Sequence, residues 1–462
     1  MAHSAPMRVL LLHNRYRQPG GEDLVAGLEA NMLRAHGVEV FEFEVDNASE
    51  SWGSGTLHLG LAAAWSRASY RQILKICEKY RPHIAHIHNF WMKLSPSVHS
   101  ACRASGAATV QSLHNFRLLC ANAMFLRNGR VCEDCLGRAP WGGVLHRCYK
   151  GSFLASAAVA RMIVSNRRRG TWERDVDAFI ALSEHSRSMF FRGGLPADRI
   201  FVKPNCVEDP GCSPAPPSAS DCVLYAGRLS KEKGVTTLLS AWAGAGLGKY
   251  GRLVILGDGP DRESFEIQAA ALELSPPKVV FAGQKTPAEV LNLIARARVV
   301  VTPSIWYEAS PRIVIEALSL GRPVLVSDLG ALREIVRHQY SGFNFQAGDA
   351  LALGEALKKI VTCDTLADTL GENARHEYLA NYTPERNYET LMHIYRLAIE
   401  RRAAPLPDHL RSFGQSKLTT DNPSMSHATG TAIDSSGPMS NIGKFCTIES
   451  TELANASDRV KE

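Results

Sequence analysis

Two glutamates eight residues apart, Glu308 and Glu316, are the most informative chemical groups in the sequence. Ser310 could cap a helix whose first position is Pro311, which would place Glu316 in the second turn. The residues around Glu316 are apolar on nearly all sides, and a carboxylate there is costly unless it is hydrogen-bonded. Hydroxyls of a ribose or hexose would satisfy it, and the free N–H groups at the helix start would suit a diphosphate. The alternative is a glutamate that reaches solvent at the helix edge.

A basic loop follows an apolar run in the second half of the chain. The predicted strand Cys222–Ala226 leads directly to Arg228 and Lys233, and parallel sheets bind ligands at the carboxyl ends of their strands. Together the two cations could neutralise a departing diphosphate without a divalent metal, although a solvent-exposed basic loop is the alternative. Asp175 and Asp177 precede a strand, so we expect a solvated lead-in there and no metal site.

Two further loops at strand ends could contact a ligand. Gly20 and Gly21 follow the first strand and precede a helix, so their backbone N–H groups could approach a phosphate or sugar. The Gly-x-Gly-x-x-Gly pattern of nicotinamide-binding proteins is absent, and a plain tight turn is the alternative. His114 follows a later strand, where its imidazole could donate to a sugar hydroxyl or phosphate. A purely structural histidine is the alternative.

Four of the eleven cysteines form a separate group: Cys120, Cys132, Cys135 and Cys148. The middle two make a Cys-x-x-Cys knuckle, with one cysteine about a dozen residues away on each side. Four thiolates would make a closed structural zinc site that clips the irregular insertion 120–148. Four unrelated thiols or a redox pair are the alternatives.

Short apolar runs separated by helix-length spacers must position these groups. The runs fall into two sets, 9–12, 38–45, 84–87, 108–111, 179–182 and 200–202, followed by 222–226, 253–256, 279–282, 299–302 and 323–326. This alternation predicts an α/β chain with two doubly wound, Rossmann-like domains.

The boundaries of these domains follow from composition. We predict a first domain over 1–204, a proline-rich extended linker over 205–220, a second domain over 221–383, an amphipathic closing helix over 384–402 that returns to the first domain, and a disordered tail over 403–462.

The overall composition excludes several classes of protein. The 462 residues are 45% hydrophobic and 21% charged, which is typical of two or three globular domains. A net charge of +6 is too small for a dedicated nucleic-acid binder. The apolar stretch 153–164 is shorter than the roughly 20 residues of a membrane span. With Arg167, Arg168 and Arg169 it could instead lie on an anionic membrane, and a buried helix is the alternative. No secretory signal pattern begins the sequence, so we expect a cytoplasmic protein, including the cytoplasmic face of the membrane.

Several motifs in order resemble the retaining glycosyltransferases of family 4, in the bacterial surface-polysaccharide branch, from Met7 to about Arg402. The most specific is the Glu-x7-Glu motif of Glu308 and Glu316. The others are Lys203-Pro-Asn-Cys-Val-Glu208, Tyr225-Ala-Gly-Arg-Leu-Ser-Lys-Glu-Lys-Gly234, Gly257-Asp-Gly-Pro260 and Gly330-Ala-Leu-Arg-Glu334.

The resemblance implies a GT-B fold, in which two Rossmann-like domains face a cleft. A nucleotide sugar would bind the second domain, and a saccharide or lipid-linked saccharide would bind the first, with retention of anomeric configuration and no catalytic metal. Glu308 would contact the donor sugar, and Glu316 would hold the ribose. Ser310 would also belong to the donor-binding residues. Arg228 and Lys233 would bind the diphosphate. Gly20 and Gly21 would support the diphosphate from the first domain, and His114 would contact the sugar.

Two other functions would use a similar cleft. A nucleotide-sugar epimerase of GT-B-like fold would alter the donor sugar itself by acid–base chemistry. A non-catalytic nucleotide-sugar sensor would only bind it. Donor turnover with and without an acceptor distinguishes the three.

Overall fold

The computed structural model describes residues 6–15, 21–46, 63–211 and 214–404, where parallel strands form two six-stranded sheets. The first sheet has the order β2-β1-β3-β4-β7-β8 and the second the order β11-β10-β9-β12-β13-β14. The strands of the first sheet are β1 (Arg8–Arg15), β2 (Glu39–Asp46), β3 (Ile84–Asn89), β4 (Ala108–Leu113), β7 (Ala178–Ala181) and β8 (Ile200–Val202). Those of the second are β9 (Cys222–Ala226), β10 (Arg252–Leu256), β11 (Val279–Gly283), β12 (Val299–Thr302), β13 (Val324–Ser327) and β14 (Gly342–Phe345).

All eleven predicted strands are confirmed, and the α/β architecture with two doubly wound sheets is confirmed with them. Three short strands were not predicted. These are β14 and the two strands of a small antiparallel hairpin, β5 (Leu126–Arg127) and β6 (Arg130–Val131).

Helices cover both sheets, as buried parallel sheets require. In the first half they are α1 (Gly21–Ala35), α2 (Arg67–Tyr80), α3 (Ser97–Ala104), α4 (Trp141–Leu145), α5 (Phe153–Arg168), α6 (Thr171–Arg174) and α7 (Glu184–Arg192). In the second half they are α8 (Val235–Gly244), α9 (Arg262–Ala271), α10 (Pro287–Ala295), α11 (Arg312–Ser319), α12 (Ala331–Ile335), α13 (Ala350–Thr362), α14 (Asp364–Asn381) and α15 (Pro384–Ala403). No helix in the described ranges is long and apolar enough to span a bilayer.

The last helix packs on the first sheet although it follows the second. Leu391, Ile394 and Tyr395 of α15 are fully buried in one core with Val9 and Leu11 of β1. Adjacent strand residues point to opposite faces, so Leu10 and Leu12 enter a different core on the other side of the sheet. The first sheet is therefore completed by residues near position 395. The predicted tail lies outside the described residues from position 405 onward.

The segment between the sheets is packed, which corrects the prediction of an extended linker. Pro217 is buried, and the backbone N–H and hydroxyl of Ser218 both donate to Asp368 at 2.8 Å. The buried Arg322 donates to the carbonyl of Ala215 at 2.5 Å. Residues Pro217–Ala219 form a turn of 3-10 helix, and hydrogen bonds from neighbouring polar groups fix the segment to the second domain.

The Asp175 and Asp177 pair is also buried rather than solvated. Asp177 accepts a hydrogen bond from the backbone N–H of Thr109 at 2.8 Å, and Asp175 pairs with Arg174 at 2.9 Å. Both acids stand before β7 at the amino edge of the sheet, as predicted. The Asp177 carboxylate thereby connects the start of β7 to β4.

Candidate active site

Glu308 lies in a polar cluster on the loop after β12. The residue is 6% exposed, and its Oε1 accepts hydrogen bonds from Lys233 Nζ at 2.7 Å and Ser304 Oγ at 2.7 Å. The indole N–H of Trp306 donates to the same oxygen at 3.0 Å. The Lys233 ammonium also lies 5.4 Å from the centre of the Trp306 ring. Three donors on one carboxylate oxygen fix the direction of the Glu308 side chain. Sequence reasoning missed Ser304 and Trp306 as members of this cluster.

Gly234 sets the position of Lys233. It has a φ of 72° and begins α8, so the loop after β9 turns sharply at this residue. A Cβ built on Gly234 would lie 1.9 Å from the carbonyl oxygen of Pro303, directly after β12. The glycine therefore lets the two loops that carry Lys233 and Glu308 approach each other.

Replacing Gly234 by alanine is expected to lower the free energy of unfolding by about 3 kcal/mol, because the new Cβ meets a backbone carbonyl in a left-handed conformation. Gly244, at the other end of the same helix, is the control. A Cβ there has no described neighbour within 4 Å, so Gly244→Ala should be neutral or stabilising. Urea unfolding of the two variants measures the contrast, and equal midpoints would contradict this account.

The Gly257-Asp-Gly-Pro260 motif supports the basic loop from behind. Cβ atoms on Gly257 and Gly259 would lie 2.0 Å from the carbonyl of Gly227 and 2.3 Å from that of Leu229. The motif therefore allows two loops at the carboxyl edge to pack backbone against backbone. Arg228, between Gly227 and Leu229, is exposed at this edge.

Glu316 lies on a partly open face of α11, and its surroundings differ from the prediction. Its Oε1 accepts from Arg312 at 2.9 Å, and its side chain is 16% exposed. Arg312 therefore pairs with one of the two carboxylate oxygens. The prediction that Ser310 caps this helix is wrong, since the N-cap is Pro311 and the buried Ser310 hydroxyl has no hydrogen-bond partner among the described residues. The backbone carbonyl of Ser310 instead accepts from Asn205 at 3.2 Å, which ties the motif to the chain that joins the sheets.

His114 ends a row of three neighbouring histidines in the first domain, of which His86 and His88 are buried. Its Nε2 lies 3.1 Å from Nδ1 of His88, and the two rings stack with centres 5.3 Å apart. His86, two residues earlier on β3, bonds through its two nitrogens to the hydroxyls of Tyr395 and Ser112, each at 2.8 Å. The row connects the carboxyl edge of the first sheet with the last helix. The His-x-His spacing on one strand could have predicted part of it, since alternate residues share a face.

The inner end of this row holds a buried charge network. Glu29 lies 3.2 Å from His86 and 3.3 Å from the ammonium of Lys203, which also donates to Asn387 at 3.0 Å. Burial opposes its ionisation, but Lys203 and His86 hold the pKa of Glu29 well below its usual value. Glu29, His86 and His88 place three potential ligand atoms within 4.8 Å of one another. Because Lys203 already supplies the cation, we interpret the group as an ion pair rather than a metal site.

Acidification is expected to destabilise the protein through His114. Burial lowers its pKa from 6.5 to about 3. Between these two pH values His114 is protonated in the unfolded state but neutral in the folded state. Stability is therefore lost as the pH falls below about 6.5, until about pH 3. In that range the free energy of unfolding of wild type should fall by up to about 1.4 kcal/mol more per pH unit than that of His114→Asn. Urea titrations at pH 7 and pH 5 measure the difference, and parallel losses would show that His114 is not the responsible group.

The glycine loop of the first domain is described only in part. Gly20 lies outside the described residues, and Gly21 is the first residue of α1. Asn115, beside His114, donates to Glu22 in the first turn of this helix at 3.5 Å. The start of α1 and the end of β4 therefore lie together, so the structure brings Gly21 close to His114.

Two contacts cross between the domains next to the Glu308 cluster. The hydroxyl of Tyr307 donates to Glu133 at 2.8 Å, and Glu133 also pairs with Arg192 at 2.8 Å. Glu334, the last residue of the Gly330 motif, accepts from the backbone N–H groups of Glu184 and His185 at 2.8 and 2.5 Å. These two N–H groups open α7, so Glu334 anchors a helix N-terminus of the first domain. Neither role was predicted.

The four cysteines of the insertion surround one cavity of about 20 Å³. Burial and then the nearby Cys120 raise the pKa of Cys135 to about 11. The thiol of Cys120 donates to Asn122 at 3.0 Å. No three of the sulfur atoms lie within 4.8 Å of one another. The four predicted cysteines therefore line one cavity, but their sulfur atoms are not close enough together to coordinate one ion.

Comparison with known families assigns each half of the chain. Residues 3–206 match a glycosyl transferase 4-like domain, and residues 213–377 match glycosyl transferases group 1. A phosphatidyl-myo-inositol mannosyltransferase of Mycobacterium leprae is 31% identical over 205 residues, which cover 43% of this chain and 53% of that protein. An uncharacterized glycosyltransferase of Methanocaldococcus jannaschii is 28% identical over 178 residues, or 38% and 45% of the two chains. The chain thus spans about half the length of these relatives.

The fold is shared with solved glycosyltransferases. Anabaena HepE, in complex with UDP and glucose, superposes with a TM-score of 0.59 at 18% identity, over 84% of this chain and 98% of that one. The expected GT-B fold is therefore confirmed. With one family model on each domain and this shared architecture, the chain belongs to the GT-B glycosyltransferases.

Proposed function

We propose that the protein is a retaining glycosyltransferase that moves a sugar from a nucleotide sugar to a saccharide or lipid-linked saccharide, in cell-surface polysaccharide biosynthesis. The observation that carries this proposal is the ion pair between Lys233 and Glu308 at the ligand edge of the second sheet. It joins a fixed negative charge and a cation on two loops that converge there. A sugar that develops positive charge and a diphosphate that departs with negative charge need these two groups.

In the proposed reaction, the bond between the anomeric carbon and the diphosphate oxygen breaks, and an acceptor hydroxyl bonds to that carbon from the same face. The hydroxyl proton passes to the departing phosphate. Arg228 and Lys233 bind the diphosphate, so Lys233 bridges the phosphate and Glu308. Glu308 contacts the donor sugar beside the reacting carbon. Gly20, Gly21 and His114 contribute to the site from the first domain.

A donor screen tests this function. Because HepE is solved with UDP, UDP-sugars come first, followed by GDP-, ADP- and CMP-sugars, in a thermal-shift assay of the purified chain. Donors that raise the transition temperature are then incubated with and without saccharide acceptors. Sugar transfer to an acceptor supports the proposal. Alteration of the donor sugar without an acceptor would identify an epimerase, and binding without turnover a sensor.

Catalysis is proposed to be independent of a divalent metal, since two cations on one loop would offset the diphosphate charge. Turnover should therefore be the same with and without added Mg²⁺ or Mn²⁺. A strict requirement for either ion would contradict the proposed role of Arg228 and Lys233.

Glu316→Ala is expected to weaken donor affinity about tenfold while it changes the turnover number by less than about threefold. Its carboxylate is proposed to accept from the ribose hydroxyls, with Arg312 holding it in place. Exposed Glu355 on α13 is the control, since Glu355→Ala removes an acid away from the site. Calorimetric titration with the donor measures both affinities, and equal affinities would remove Glu316 from the donor site.

The acceptor is proposed to be reached at an anionic membrane surface, on the cytoplasmic face. In the apolar stretch of α5, Val159 and Ile163 are buried in the first core, as the alternative of a buried helix expects. Arg167 donates to the carbonyl of Arg138, and Arg169 lies over the ring of Trp65. The exposed apolar side chains lie earlier, at Trp141, Leu145, Phe153 and Leu154, which are 54–73% exposed. Exposed Arg147 and Lys150 lie between them, so an anionic bilayer matches both the apolar groups and the charge.

Vesicle sedimentation tests this surface. The full chain should bind vesicles of phosphatidylglycerol and phosphatidylcholine more strongly than phosphatidylcholine alone, and Leu145→Glu with Leu154→Glu should reduce binding at least about tenfold. Ile267→Glu on α9 is the control, because Ile267 is equally exposed but belongs to the second domain. Equal binding by both variants and wild type would contradict the proposal.

A further inference from the structure

The cysteine insertion has little regular structure to hold it. Between Leu113 and α5 the structure has the two-residue strands β5 and β6 and the five-residue helix α4. Nine non-glycine residues in the described chain have positive φ, and five of them fall here: Ala123, Phe125, Asn128, Arg147 and Lys150. Ordering such a backbone is costly, about 1–2 kcal/mol per residue. A cross-link or a bound ion would offset this cost.

The side chains at the centre of the insertion are the four thiols. Cys120, Cys132, Cys135 and Cys148 line the same small cavity. Gly143 closes on it, since a Cβ there would lie 2.9 Å from Ala121 Cβ and 3.8 Å from the sulfur of Cys135. A closed tetrahedral site can take two ligands from a Cys-x-x-Cys knuckle and one further cysteine from each side of it in the sequence.

Zinc is the ion that fits four thiolates. Sulfurs around Zn²⁺ lie 2.3 Å from the metal and therefore about 3.8 Å apart, whereas the thiols here are more widely spread. Zinc binding would therefore require rotation about the side-chain torsions, and the Cys120 thiol would leave its hydrogen bond to Asn122. Four thiolates and Zn²⁺ carry a net charge of −2. Arg127 near Cys148 and Arg167 near Cys135 would offset part of it.

The knuckle also faces the active site. Glu133 lies between the two knuckle cysteines and accepts from Tyr307, the residue immediately before Glu308. We propose that Cys120, Cys132, Cys135 and Cys148 bind one Zn²⁺ ion as four thiolates, and that this ion holds Glu133 in position to fix Tyr307 across the cleft. The zinc site stands independently, whereas its effect on catalysis rests on the proposed function.

Metal analysis tests the zinc site. The full chain, purified without added metal, should contain about one Zn²⁺ per molecule by mass spectrometry. Cys135→Ser should lose it, whereas Cys363→Ser, at an exposed cysteine of the second domain, should retain it. If Cys135→Ser does not fold, exchange of Co²⁺ into wild type decides, because four thiolates give strong cobalt–sulfur charge-transfer absorption. A folded wild type with neither zinc nor this absorption would overturn the proposal.

Kinetics test the positioning role of Glu133. Glu133→Gln should retain zinc but lower the turnover number about tenfold, with little change in donor affinity. Tyr307→Phe should have the same effect, and the double variant should be no worse than either single one. Asp134→Asn, at the more exposed neighbouring acid, is the control and should retain wild-type activity. If Glu133→Gln turns over like wild type, the positioning role is wrong. If neither wild type nor any variant transfers sugar, the proposed function is wrong, whereas the zinc content remains a valid test of the metal site.

Discussion

Glu308→Gln is expected to lower the turnover number about 10³-fold, with donor affinity changed by less than about threefold. The carboxylate accepts hydrogen bonds from Lys233, Ser304 and Trp306, so its position is fixed before the substrate binds. Glutamine has the same shape but no charge. It would therefore lose the interaction that strengthens as positive charge develops on the sugar. Steady-state kinetics and calorimetric titration separate the two effects.

The control for this variant is Glu263→Gln, on the exposed side of α9. It removes the same charge from the same domain at a distance from the loops of the site. Turnover of Glu308→Gln within about threefold of wild type, with the protein folded, would exclude Glu308 from the reaction.

Lys233→Ala should lower kcat/KM by about 10²- to 10³-fold, because the departing diphosphate would lose a fixed cation in a partly buried site. Lys231, two residues earlier, offers a close control. Its side chain is 82% exposed and lies 3.9 Å from Asp261, so Lys231→Ala should change kcat/KM by less than about threefold. Equal losses for the two variants would indicate a general charge effect in place of a specific contact.

The ion pair also predicts how the two site variants combine. Since Lys233 and Glu308 hold each other in place, each single variant already disturbs the partner. The double variant should therefore lose much less activity than the product of the two single losses. A fully multiplicative loss would show that the two residues act independently.

Most of the fold could be predicted because hydrophobic periodicity is local. Apart from the hairpin strands Leu126–Arg127 and Arg130–Val131, each β-strand from Arg8–Arg15 to Val324–Ser327 coincides with a short run of apolar residues that was predicted as a strand. The last strand of the second sheet, Gly342–Phe345, was missed, because glycine and asparagine at two of its four positions hide the apolar pattern. The order of the strands within each sheet differs from their order along the chain, so it could be determined only from the structure.

The candidate site was predictable only where a motif carried it. Lys233 and Glu308 were both predicted as site residues, but their contact joins positions 75 residues apart and was found only in the structure. Ser310 has the right type and place for a helix cap, yet its hydroxyl is buried away from the helix N–H groups. Glu133 and Tyr307 are 174 residues apart, and no local signal connects them. Buried long-range pairs of this kind depend on tertiary packing.

The return of α15 to the first sheet has a consequence for synthesis of the protein. A ribosome adds about 5–20 residues per second, so roughly 10–40 s pass between the end of β8 and completion of α15. During this interval Leu391 and Tyr395 have not yet been added, so the face of β1 formed by Val9 and Leu11 is not covered by them. The first domain to be translated is therefore the last to be finished. A nascent or truncated chain that stops before Pro384 would present this apolar face to chaperones and to other chains.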